Sequence, residues 1–271
     1  NQNQILISLK KNLQANQLVS DKTSLNYQQE FRQLGMLLNN RLDVNEWKEL
    51  YAKLVYWELQ LDKIEDSGMS EIFEMQKKEA NQQFSGFIED NYLDWLNGVE
   101  EGPVFIHNLI KDRIFKRKSN AQTLVLVIDN LRYDQWKVLE PVFNKYFVKE
   151  KEEVVFSILP TATQYARNAF FAGLMPSEIA KKHPQYWKSE EDEGSKNRFE
   201  KELLDLNLKR LGKSSLRYSY NKITNVNAGK KLVEQFHKLK ENDMNFLVYN
   251  FVDMLSHART DMEVIRELAD D

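Results

Sequence analysis

The chain has 271 residues, no cysteine and a formal net charge of −3. That length closes a core without covalent staples, and the missing thiols leave only His, carboxylate and hydroxyl oxygen as donors for a transition metal. The near-neutral charge excludes a broad basic field for gripping nucleic acid, so any phosphate substrate must be held locally.

The N-terminal stretch "NQNQILISLKK" lacks the basic opening and small-residue cleavage site of an export signal. No apolar run approaches the roughly 18–20 residues that span a bilayer. A cytoplasmic protein without membrane insertion is expected. Up to about residue 118, apolar residues recur at helical spacing: Trp47, Leu50, Tyr51, Leu54 and Val55 in one segment, Phe84, Phe87, Ile88 and Trp95 in another. Gly98 suits the left-handed position after a helix, and Pro103 the first turn of the next. Four or five helices forming a bundle are predicted, with the aromatic stripes as core.

The polar stretch "FKRKSNAQ" at 115–122 is a hinge, and the pattern then changes. "TLVLVID" (123–129), "VVFSILP" (154–160) and "NFLVYNFVD" (245–253) are buried runs of strand length, with "LRYSYNKI" (216–223) as a further strand. Between them "RYDQWKVLEPVFNKYF" and "AGKKLVEQFHKLKEN" are helices, and "KSEEDEGSKNR" at 188–198 is a solvated charged loop. Buried strands alternating with helices predict a parallel sheet covered by helices, hence an α/β domain at 119–271 behind a helical bundle at 1–118. Chemistry in such sheets gathers beyond the strand C-termini. Asp129, the corner holding Thr161 and Thr163, and Asp253 are all expected there.

Asp253 and His257 are four apart, so a helix starting at the strand end would let both touch one ion. Taken singly, Asp253 reads as a helix N-cap and His257 as a hydrogen-bonded structural histidine. The corner "PTATQYARN" presents a hydroxyl where a helix N-terminus favours a phosphate. Arg167 and Asn168, one turn inside, are candidates to contact that anion, with a structural salt bridge an equal reading of Arg167. A receiver-type phosphoacceptor reading of "VLVIDN" lacks the upstream acid pair. A haloacid-dehalogenase reading lacks a second acid two residues after Asp129.

In combination, "LVLVIDNLRYDQW", "ILPTATQYARNAFFAGLMPSEI" and "FVDMLSHAR" resemble a PglZ domain, a branch of the alkaline phosphatase superfamily. The part before them resembles the region after the receiver in PorX-type response regulators of type IX secretion. The resemblance implies an alkaline-phosphatase-like α/β fold and two zinc ions, with Asp129 and Thr163 on one and Asp253 and His257 on the other. It implies Thr163, rather than Thr161, as nucleophile, and Arg167 and Asn168 as substrate contacts. Thr161 is then expected to cap the following helix. The substrate would be a phosphodiester of the nucleotide or oligonucleotide kind. The implied partners are an upstream receiver domain with its histidine kinase, a sigma factor or secretion-system component, and a second copy in a homodimer. An Asp-His pair and a later His are also implied, so the chain is expected to carry about half of each metal site. The alternative function is a catalytically silent docking module for a transcription or secretion partner.

Overall fold

The structure, a computed structural model, describes residues 27–256 apart from 28, 64–66, 118–120, 190, 193 and 251. Two compact units form, Asn1–Pro103 with Lys137–Val154 and Val104–Trp136 with Val155–Asp271. The first is helical, the second contains a parallel sheet.

In the first unit, helix α1 covers residues 29–38, α2 Val44–Leu61 and α3 Ser67–Asn97. The start of α2 is set by a reciprocal cap. Asp43 Oδ1 accepts from the backbone N–H of Asn45 (2.7 Å) and Glu46 (2.9 Å), while the Asp43 N–H donates to Glu46 Oε2 at 2.8 Å. The helical period then buries Trp47, Leu50, Trp57 and Leu61 against Leu34, Leu38, Phe73 and Ala80. Tyr51 falls off this stripe and stays exposed. Gly98 ends α3 as expected, at φ 69°, with the Val99 N–H donating to Asp94 O at 2.9 Å. Pro103, however, opens no α-helix. A single parallel bridge at Phe105 intervenes, followed by a 3₁₀ turn at Ile106–Asn108 and a π-helical turn at Ile110–Ile114.

The sheet of the second unit has strands β1 (Thr123–Ile128), β2 (Tyr218–Ile223) and β3 (Met244–Tyr249), in the order β1-β3-β2 and parallel throughout. Ile128 and Ile223 both stand opposite Tyr249, so the three strands end level. One face carries Val125, Val127, Phe246, Val248, Tyr218 and Tyr220. It packs on Phe170 and Phe171 of α5 (Thr163–Ala172) and on Leu203, Leu204 and Leu208 of α7 (Glu200–Arg210).

The run at 154–160 is no sheet strand. Phe156 alone bridges, its N–H donating to Val104 O and its carbonyl accepting from Ile106. The available partner turns into the 3₁₀ helix one residue later, so no ladder propagates. Helix α4 (Tyr133–Phe143), α6 (Pro176–Lys182), α8 (Val226–Glu234) and α9 (Phe236–Leu239) complete the described elements.

Candidate functional site

The level strand ends make one edge where loops converge. At the end of β1, the Asp129 N–H continues the ladder by donating to Tyr249 O at 3.1 Å. Asn130 then takes the left-handed conformation at φ 59°, which Asn tolerates better than any branched residue, and turns the chain away from the sheet. Beyond β3, residues 252–256 are helical, with the Met254 N–H on Asn250 O at 3.0 Å. Asp253 lies in this turn, half-buried. Its charge reaches Asp129, as adjacency of β1 and β3 requires. His257 lies outside the described residues.

The threonine corner enters the same place from α5. Thr163 is the first residue of that helix and Ala162 its N-cap, with no side chain capping the helix start. Thr161 therefore does not cap. It sits one residue too early for its hydroxyl to meet the first-turn N–H groups. Neither threonine hydroxyl has a hydrogen-bond partner among the described residues, and both line a cleft of about 530 Å³ together with Asp129, Asn130 and Arg167. The rest of the lining is largely apolar, with Ile106, Leu109, Val125 and Phe170 beside Arg113 and Ser157.

Arg167 and Asn168 behave differently. Arg167 is 5 % exposed and gripped on two edges: Nη1 donates to Asp129 Oδ2 at 2.5 Å and to Asn250 Oδ1 at 3.0 Å, and Nε donates to Glu200 Oε1. Its Nη2 makes no hydrogen bond among the described residues, and the side chain lines the cleft. Asn168 is turned the other way. Its amide donates to Lys196 O at 3.1 Å and its Oδ1 accepts from Asn197 at 3.0 Å.

Burial pushes the Asp129 carboxyl above the usual carboxylate range. The Arg167 guanidinium pulls against that, and the Asp253 and Glu200 charges add to it. Only Oδ2 of Asp129 accepts a hydrogen bond from a described residue. Asp129 and the unpartnered Thr163 hydroxyl, which line the same cleft, are hard-oxygen donors of the kind that suits a cation, and the Asp253 charge adds to the anionic field at Asp129. Among the described residues, no group of three or more His, Asp or Glu side chains forms a metal site.

The sequence reading missed Glu200, Asn197, Lys222, Tyr220 and Asn250. Glu200 looks like an ordinary first-turn acid of α7, which helix dipoles favour anyway. One signal was available: Tyr220 and Lys222 alternate along β2 and so share a face. There the Tyr220 hydroxyl and Lys222 Nζ both donate to Glu200 Oε2, at 2.6 and 3.0 Å.

Two family models match. One, the PorX response regulator linker domain, covers residues 17–96. The other, the BREX system PglZ alkaline phosphatase-like domain, covers residues 105–271, more than half of the chain. No curated protein matches. Helices 29–97 followed by a parallel sheet whose strand ends gather carboxylate, hydroxyl and guanidinium agree with both assignments: the chain is of PorX type and belongs to the PglZ family of alkaline-phosphatase-like domains.

Proposed function

We propose that the second unit is a metal-dependent phosphodiesterase, the effector part of a two-component response regulator acting in type IX secretion in the cytoplasm. The observation that carries this reading is the uncapped start of α5, where the unpartnered Thr163 hydroxyl and Asp129 line one cleft. Asp129, Thr163, Asp253 and His257 would hold two zinc ions with further ligands. Bound zinc supplies the positive charge that makes a hydroxyl nucleophilic at neutral pH and offsets charge on phosphoryl oxygens. Thr163 Oγ1 gives its proton to solvent and forms the bond to phosphorus as the bond to the leaving alcohol breaks and the departing oxygen takes up a proton; the resulting nucleotidyl-threonine is then cleaved by water to a nucleotide monoester and free Thr163. Arg167, immobilised through Nε and Nη1, offers Nη2 to a phosphoryl oxygen. The apolar lining from Leu109, Val125 and Phe170 excludes water and accommodates the non-ionic part of a nucleotide or oligonucleotide diester. A receiver domain with its histidine kinase, a sigma factor or secretion component, and a second copy of the chain are the partners this reading entails.

The test is turnover of bis(4-nitrophenyl) phosphate by the zinc-loaded full-length protein, with Thr163→Ala and Thr161→Ala beside it. Loss in Thr163→Ala alone supports the assignment. Loss in Thr161→Ala alone moves the nucleophile. No turnover in the wild type, with or without zinc, leaves the docking module as the better reading.

A further inference from the structure

Around Asp129 the charges alternate. Asp129 faces Arg167, Arg167 faces Glu200, and Glu200 faces Lys222. Glu200 is fully buried, yet it does not line the cleft; its two oxygens are taken by Arg167, Tyr220 and Lys222. A buried carboxylate is costly unless surrounded by donors in this way. Three residues earlier Asn197, 8 % exposed, donates to the backbone carbonyl of Thr163 at 3.3 Å and to Asn168 Oδ1 at 3.0 Å. Lys222 joins the two ends of this short segment, since its Nζ also donates to Asn197 O at 3.2 Å.

We propose that Asn197 and Glu200 are positioning residues: a single segment holds the hydroxyl corner through the Thr163 backbone and the carboxylate through Arg167, and so sets one against the other. The proposal rests on the phosphodiesterase reading of the cleft. Its electrostatic half is specific. A buried guanidinium facing Asp129 alone would act on it with full charge and compete with any cation. Glu200 takes up the other edge of that guanidinium, so Asp129 keeps Oδ1 available. Lys222 competes with Arg167 for Glu200. The two flanking residues therefore act on Asp129 with opposite sign.

Zn²⁺ affinity, from competition with a chromogenic chelator, and turnover of bis(4-nitrophenyl) phosphate are measured on the full-length protein and three variants, with circular dichroism to verify folding. Glu200→Gln is expected to weaken zinc binding by ~10-fold or more. Lys222→Met is expected to tighten it a few-fold, a direction that mere loss of structure does not produce. Asn197→Ala is expected to keep zinc affinity within ~3-fold and KM within ~3-fold while kcat falls ~100-fold, the usual penalty for a nucleophile displaced by about an ångström. Should Glu200→Gln fail to fold, the other two still decide: unchanged or weaker zinc binding in Lys222→Met, or wild-type kcat in Asn197→Ala, overturns the proposal. If the wild type binds zinc and turns over while all variants match it, the positioning role falls and the phosphodiesterase stands. If the wild type does neither, the phosphodiesterase reading falls and takes this role with it.

Discussion

Thr161 and Thr163 are two residues apart and share a cleft, yet only Thr163 is on a helix. Thr163→Ala is expected to lower phosphodiester turnover by on the order of 10³-fold while leaving the melting temperature close to wild type, because no described residue hydrogen-bonds its hydroxyl. Thr161→Ala, also without a hydrogen bond to lose, should change stability by less than about 0.5 kcal/mol in urea unfolding. His107 gives a pH prediction of different origin. Burial lowers its pKa, Glu178 and Asp112 only partly oppose this, and its Nδ1 is buried without a hydrogen-bond partner among the described residues. A folded-state pKa depressed below the usual value of about 6.5 means that the unfolded chain takes up the proton first. The contribution of neutral His107 is therefore complete above pH 6.5 and lost as pH falls toward the lowered value. His107→Leu should remove that part of the acid-side slope in unfolding midpoints between pH 7.5 and 5. An unchanged slope would show that His107 titrates normally.

At the scale of elements, the ends of helices do the positioning. The reciprocal cap of α2 should cost about 1 kcal/mol when Asp43→Ala removes the acceptor of two N–H groups, read as a shift in urea midpoint at constant slope. The far end of α5 is held by α7. Asn207 donates to Phe171 O at 3.0 Å, and Arg210 Nη2 donates to Ala172 O at 2.6 Å and Gly173 O at 2.9 Å. Gly173 stands at φ 59°, and a Cβ there would lie 2.6 Å from Asn207 Oδ1 and 2.7 Å from Arg210 Nη2. Gly173→Ala must pay about 1–2 kcal/mol for the left-handed backbone and then disturb both capping side chains. The expected loss is more than about 2 kcal/mol by urea unfolding, with a smaller turnover defect than that of Thr163→Ala in the fraction that folds. Loss of turnover without loss of stability would mean that α5 is held elsewhere.

For the molecule as a whole, the level ends of β1 and β3 bring together residues far apart in the chain. Zinc bound there would bind the folded state alone. At free zinc about 100 times the Kd, the second unit should gain about 2.7 kcal/mol, visible as a rise in melting temperature that a chelator reverses. Asp129→Asn should abolish the rise. A zinc-induced rise that survives in Asp129→Asn places the ion elsewhere.

Much of this architecture is local information. The helical period of Trp47, Leu50, Leu54 and Val55, the strand-length runs at β1 and β3, and the left-handed glycine after α3 depend on neighbours within a few residues, and all three are legible in the sequence. Asp129 follows β1 directly, as the apolar run before it suggests, whereas β3 stops at Tyr249, short of the predicted 253, and Asp253 falls in the helical turn beyond it. The run at 154–160 has the same local composition, and only tertiary structure decided against a strand: a ladder needs a partner, and the chain beside Phe156 curls into a 3₁₀ turn. Whether Arg167 faced solvent, an anion or a carboxylate was open in the sequence for the same reason. Its partners come from the end of β1, from residue 250 and from the start of α7, and no spacing along the chain encodes the approach of groups 33 to 83 residues apart.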